Sequence, residues 1–127
     1  MFWDNVAGVY DIFANIINRK THRGLCAKVE NEISITDEVL ECACGTGLLS
    51  GVIAEKCNSL IATDFSVKML KKASKKYHAY TNIEFRKGNI LQIEYPDEKF
   101  DVVVAANVIH LLDEPLRALE EMDRVCR

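Results

Sequence analysis

The chain has 127 residues, of which 49% are hydrophobic and 28% are charged, enough for one globular domain with a single core. Its net charge of −3 argues against a nucleic-acid partner, because such proteins usually carry a strongly basic surface. No apolar run approaches the roughly 20 residues of a membrane span, and the N-terminus lacks the basic and apolar segments of a signal peptide, so we expect a cytoplasmic protein.

The first 35 residues have the pattern of helices. Apolar residues at helical spacing predict an amphipathic helix at the start, and Thr21 is a candidate N-cap of a second helix that reaches about Ile33. The apolar positions of the first helix are Trp3, Val6, Ala7, Tyr10, Phe13, Ile16 and Ile17. We expect residues 1–35 to form a helical lid on residues 36–127, the two together making one structural domain.

From residue 36 onwards, predicted strands and helices alternate. The strands are expected at 39–43, 60–63, 83–86 and 100–105, and the helices at 48–56, 66–77 and after Asp113. This alternation, with right-handed crossovers, implies a parallel sheet with helices on both faces. We therefore predict an α/β fold with a doubly wound parallel sheet.

The most informative stretch is VLECACGTGLL at 39–49, in which a strand ends, glycines turn the chain and a helix begins. Glycines allow the backbone to approach a ligand closely, and the start of a helix offers free N–H groups. Asp64 ends the next strand, where a carboxylate can accept both hydroxyl hydrogens of a ribose. These features predict a nucleotide-type site at a strand-to-helix turn.

The glycines alone do not distinguish between classes of nucleotide, because Gly45, Gly47 and Gly51 also fit a loose dinucleotide fingerprint. Glu41 favours another ligand, because a carboxylate at the mouth of the loop would repel a pyrophosphate. S-adenosylmethionine has no phosphate, and its ammonium and sulfonium suit a nearby carboxylate. The glycines leave open one alternative, a nucleotide-binding module without catalysis in the form of a dinucleotide-binding domain.

Four segments, in order, resemble the motifs of seven-stranded, Rossmann-like methyltransferases that depend on S-adenosylmethionine. They are the glycine loop, the stretch 64–70, the stretch 88–90, and the region from 100–103 to 110–112. Residues 3–11 resemble the lid of the small-molecule branch, and His22-Arg23 resembles quinone-biosynthesis C-methyltransferases. The resemblance implies methyl transfer to a small-molecule acceptor by in-line displacement, but it names no catalytic base. A second alternative without catalysis is therefore a truncated, inactive methyltransferase that only binds the nucleotide.

The resemblance also implies which residues hold S-adenosylmethionine. Those at the methionine end are Glu41, Ala43, Gly45 and Gly47; those around the ribose and adenine are Asp64, Phe65, Met69, Asn89 and Ile90; those that close the pocket are Tyr10 and Asn107. Two of these depart from the family pattern, since Ala43 replaces a glycine and Asn89 an acid. The amide oxygen of Asn89 can still accept from the adenine amino group. For Tyr10, packing on a helix face is an equally good interpretation.

Five cysteines occur at irregular spacing. Cys42 and Cys44 are separated by one residue, too close for a zinc-type ligand pair, so no metal site is predicted. The odd number favours reduced, buried thiols.

The chain ends after the fourth predicted strand and the helix that follows it, so the resemblance implies a C-terminally short sheet. The fifth strand of the family would pair with the free edge of the fourth, here 102–105. That edge should be unpaired, and an unpaired apolar edge favours association. We expect the cofactor half of a methyltransferase, with the acceptor half absent or supplied elsewhere. Either the chain is one piece of a longer protein, or two chains form a homodimer through their exposed edges. The chain alone should bind the cofactor with little or no methyl transfer.

Overall fold

A computed structural model describes residues 9–12, 32–106 and 112–127 of the chain. The strands are β1 (Val9–Ile12), β2 (Glu38–Cys42), β3 (Ser59–Asp64), β4 (Ile83–Lys87) and β5 (Val102–Ala106), and the helices are α1 (Ser50–Lys56), α2 (Val67–Lys76) and α3 (Pro115–Val125). The strands form one sheet in the order β1-β5-β2-β3-β4, and every neighbouring pair is parallel. The predicted α/β fold with a Rossmann-like parallel sheet is confirmed.

Helices cover both faces of the sheet. Strand β2 lies at the centre, where Val39 pairs with Leu60 of β3 on one side and Val102 of β5 on the other. Successive strand residues point to opposite faces, so Val39 joins the core under α1 and α2, whereas Leu40 joins the core under α3. Both side chains are fully buried, as expected in a strand covered on two faces.

The N-terminal segment differs from the sequence prediction. Residues Val9–Ile12 form a strand, not a helix, and pair with β5 from Val9–Val103 to Ile12–Ala106. The residues Val9, Tyr10 and Ile12 also favour a strand, and the edge of β5 offers this segment backbone hydrogen bonds that helical spacing alone does not take into account. Strand β1 therefore covers the edge of β5, so the prediction of an open edge is wrong. The expected homodimer was to form through that edge and has no support from the sheet. Thr21, the predicted N-cap of the second helix, lies outside the described residues.

The ends of the other elements follow the sequence closely, with two exceptions. The Ser66 hydroxyl caps α2 by accepting from the Met69 N–H at 3.3 Å, as predicted. Helix α3 has Glu114, not Asp113, at its N-cap position. Phe100 precedes β5, and its N–H donates to the Val125 carbonyl at the end of α3. Within the described residues, no helix is long and apolar enough to cross a bilayer.

One arginine of α3 fixes the segment that follows β4. The Arg124 guanidinium donates to the carbonyl oxygens of Ile93 at 2.7 Å and Tyr95 at 2.9 Å. The Glu121 carboxylate accepts from Arg124 Nε at 2.7 Å and from the Ile93 N–H at 2.8 Å. These bonds hold residues 93–95 against α3, and the same residues line a cavity together with residues at the carboxyl ends of β3 and β4.

Candidate cofactor site

The loop between β2 and α1 has a backbone that suits close approach by a ligand. Ala43, Gly45 and Gly47 have positive φ angles of 54°, 59° and 87°. A Cβ built on Gly45 would meet no atom within 4 Å, so the space beside this residue is open. Glycine adopts this left-handed conformation freely, whereas the Cβ of Ala43 makes the same conformation cost about 1–2 kcal/mol. The missing first glycine of the motif is thus accommodated with some backbone strain.

Glu41 lies next to the end of β2 and is only 4% exposed. Its Oε1 accepts a hydrogen bond from the Ser50 hydroxyl at 2.6 Å. Burial raises the pKa of Glu41 to about 7, the Ser50 hydrogen bond opposes the increase, and the charge of Asp64 adds to it. A cationic ligand at this place would favour the ionised carboxylate, whereas an anionic ligand would not.

Asp64 joins the glycine loop to the start of α2. Its Oδ2 accepts from the Gly45 N–H and its Oδ1 from the Ser66 N–H, both at 2.8 Å. Each carboxylate oxygen has a second lone pair, so two further donors can be accepted. Asp64 is therefore fixed in place with acceptor capacity to spare, as binding of a ribose diol requires.

A cavity of about 430 Å³ lies beside the carboxyl ends of β3 and β4. It is lined by Thr63, Phe65, Arg86, Lys87, Gly88, Asn89, Ile90, Gln92, Ile93, Glu94 and Tyr95. The Phe65 ring is 71% exposed, with the Lys87 ammonium 5.4 Å from its centre. The Asn89 amide oxygen accepts from the Leu91 N–H at 2.9 Å. The cavity thus offers an aromatic face and polar groups to a flat ring.

Residues 40–127 match the sequence model of the family described as methyltransferase domain. This match covers more than half of the chain. The chain belongs to the methyltransferase domain family. The sequence prediction of a methyltransferase is thus confirmed at the level of the family, and the comparisons do not favour a dinucleotide-binding domain.

Named relatives agree with this assignment. The domain is 30% identical to a demethylmenaquinone methyltransferase from Lactiplantibacillus plantarum, covering 98% of this chain and 56% of the relative. It is 31% identical to a phosphatidylethanolamine N-methyltransferase from Cereibacter sphaeroides, covering 94% and 58%. A solved structure of a SAM-dependent methyltransferase from Aquifex aeolicus matches with a TM-score of 0.66 and 27% identity, covering 87% of this chain and 68% of that one. The chain spans about half the length of the curated relatives it matches.

The methyltransferase domain brings most of the predicted cofactor residues to two adjoining places. The residues at the glycine loop are Glu41, Ala43, Gly45, Gly47 and Asp64; those in the cavity wall are Phe65, Asn89 and Ile90. Met69 lies in the first turn of α2, is 40% exposed and does not line the cavity. The Tyr10 backbone pairs with Val104 in the sheet, which removes the helix-face interpretation. Asn107 lies outside the described residues.

Sequence reasoning missed two residues that shape the loop. The Tyr77 hydroxyl donates to the Gly47 carbonyl at 2.7 Å, and its ring lies 2.7 Å from where a Cβ on Gly51 would be. Ser50 holds the Glu41 carboxylate. A glycine within a predicted helix costs stability relative to alanine, so Gly51 is the signal that could have indicated a large neighbour with no room for a Cβ. Among the described residues, no group of three metal-ligating side chains could hold a metal ion.

Proposed function

We propose that the methyltransferase domain binds S-adenosylmethionine and takes part in methyl transfer to a small molecule. The observation that carries this proposal is the buried Glu41 carboxylate beside the open, positive-φ loop at Gly45. A negative charge here favours a cationic amino-acid end and disfavours a pyrophosphate. The cofactor, when bound, supplies a methyl group on a sulfonium that an acceptor nucleophile can displace.

We assign the other predicted residues by their place relative to Asp64. The spare acceptor capacity of the Asp64 carboxylate supports ribose binding. The cavity wall at Phe65, Asn89 and Ile90 suits the adenine. Met69 is exposed in the first turn of α2 and is proposed to flank the adenine from outside the cavity lining. Because Leu91 already occupies one lone pair of the Asn89 oxygen, the adenine amino group would use the second. Tyr10 and Asn107 are proposed to close the pocket. The protein would contribute mainly positioning and exclusion of water.

For the acceptor, we propose a lipophilic small molecule, with a quinone as the first candidate. The support is that relatives are named for demethylmenaquinone and phosphatidylethanolamine, both lipophilic. We also propose a cytoplasmic location without a nucleic-acid partner. The buried thiols of Cys42, Cys44 and Cys57 are free, which suits a reducing compartment, and the net charge is negative.

Isothermal titration calorimetry with three ligands tests the cofactor assignment. We expect S-adenosylmethionine and S-adenosylhomocysteine to bind and NAD to give no heat of binding. Both expected ligands carry the ammonium that suits Glu41, whereas NAD carries a pyrophosphate. Binding of NAD alone would instead support a dinucleotide-binding module and refute the proposal.

A further inference from the structure

We propose that Ser50 is a positioning residue of the cofactor site, which holds one oxygen of the Glu41 carboxylate so that the ionised group meets the cationic end of the cofactor. This inference rests on the proposed function. Ser50 itself need not touch the cofactor. It acts through Glu41, and its role concerns the charge of that carboxylate rather than the shape of the pocket.

Two hydrogen bonds make Ser50 the link between the glycine loop and Glu41. Ser50 begins α1 and is fully buried. Its N–H donates to the Gly47 carbonyl at 3.2 Å, and its hydroxyl donates to Glu41 Oε1 at 2.6 Å. The loop that would surround the cofactor and the carboxylate that would attract it are therefore tied to the same residue.

The surroundings of Glu41 disfavour its charge. Burial and the nearby Asp64 carboxylate both raise the Glu41 pKa, whereas the Ser50 hydroxyl lowers it. The neighbouring thiols of Cys42 and Cys44 are neutral at physiological pH, because burial raises their pKa values far above 9. In the neighbouring strand β3, the Thr63 Oγ1 donates to the backbone carbonyl of Glu41 at 3.1 Å and not to its carboxylate. The hydroxyl of Ser50 thus opposes two effects that would protonate Glu41.

A consequence for binding follows from the raised pKa of Glu41. A cationic ligand binds the ionised carboxylate best, so affinity should increase as the pH rises through about 7. Removing the hydroxyl should raise the Glu41 pKa further and move this increase to higher pH. A loss of packing alone would instead lower affinity equally at every pH.

The experiment is a calorimetric titration of S-adenosylhomocysteine between pH 6 and 8.5. The chains compared are the wild type, Ser50→Ala, and Ser50→Thr, which keeps the hydroxyl. If the hydrogen bond is worth about one pKa unit, Ser50→Ala should bind nearly tenfold more weakly at pH 6.5 and within about twofold of the wild type at pH 8.5. Ser50→Thr should follow the wild-type curve.

Two further measurements separate the possible failures. Circular dichroism and thermal melting establish that each variant is folded. Ser50→Cys provides a poorer hydrogen-bond donor of similar size, so its curve of affinity against pH should lie between those of the wild type and Ser50→Ala. Coincident pH curves for the wild type and Ser50→Ala, or a loss that is uniform across pH, would overturn the role of Ser50. Absence of binding by the wild type at every pH would instead refute the proposed function.

Discussion

Replacing Glu41 by glutamine should stabilise the ligand-free domain at alkaline pH and at the same time weaken cofactor binding. Glu41 is 4% exposed, and its pKa is raised from 4.5 to about 7, chiefly by burial. The unfolded chain carries this charge at no such cost once the pH exceeds 5. Glutamine has nearly the same shape, has no charge and keeps an oxygen that can accept from Ser50.

The sign and size of the change in unfolding free energy follow from the difference in the Glu41 pKa between the folded and unfolded states. Because the folded state binds its proton more tightly than the unfolded state, stability is lost as the pH rises from about 4.5 to about 7. The difference in pKa corresponds to about 3 kcal/mol above pH 7. Part of the gain is offset, because the buried amide N–H groups of glutamine need partners, at about 1 kcal/mol. We expect Glu41→Gln to be more stable by about 2 kcal/mol at pH 8 and no more stable at pH 4.

Urea denaturation of both chains at pH 4 and pH 8 measures this difference. Glu120→Gln is the matched control, because Glu120 is exposed on α3, and its effect should stay within about 0.5 kcal/mol at both pH values. Titration with S-adenosylhomocysteine at pH 8 should show weaker binding by Glu41→Gln despite its greater stability. If Glu41→Gln is less stable than the wild type at pH 8, the cost assigned to the buried Glu41 charge is refuted; if it binds equally well, the role of that charge in cofactor binding is refuted.

Two further substitutions test the loop and its neighbours. Asp64→Ala should weaken S-adenosylhomocysteine binding at least about tenfold, or about 1.4 kcal/mol, by calorimetry. Lys72→Ala should bind as the wild type does, because Lys72 is exposed on α2; equal affinities for the two variants would reject the ribose role. Gly51→Ala places a methyl group 2.7 Å from the Tyr77 ring and should cost about 1–3 kcal/mol of stability in urea. A Gly51→Ala chain as stable as the wild type would mean that the ring moves aside freely.

The described elements after residue 36 could be predicted well because their signals are local. Apolar runs bounded by turns mark β2 to β5, and Ser66 marks the start of α2. Strand β1 could not be predicted, because its structure depends on pairing with β5, about 90 residues away along the chain. The apolar spacing between residues 3 and 17 predicts a helix because it contains no information about such a distant partner.

The candidate site divides in the same way. Glu41 and Asp64 stand at the ends of strands next to a glycine loop, a place that sequence position alone can identify. Ser50 and Tyr77 matter through contacts with Glu41 and Gly47, at separations of 9 and 30 residues. Neither contact follows from a motif, since a serine in a helix and a tyrosine after one are common in any fold.

A ¹H–¹⁵N correlation spectrum of the labelled chain, recorded during titration with S-adenosylhomocysteine, locates the cofactor site residue by residue. We expect the amides that shift most to belong to the glycine loop at 43–47, to 64–66 and to 88–91. Shifts confined to the opposite end of the sheet, near Asp37 and Asn58, or no shifts at millimolar ligand, would contradict the assignment of this loop and cavity as the cofactor site.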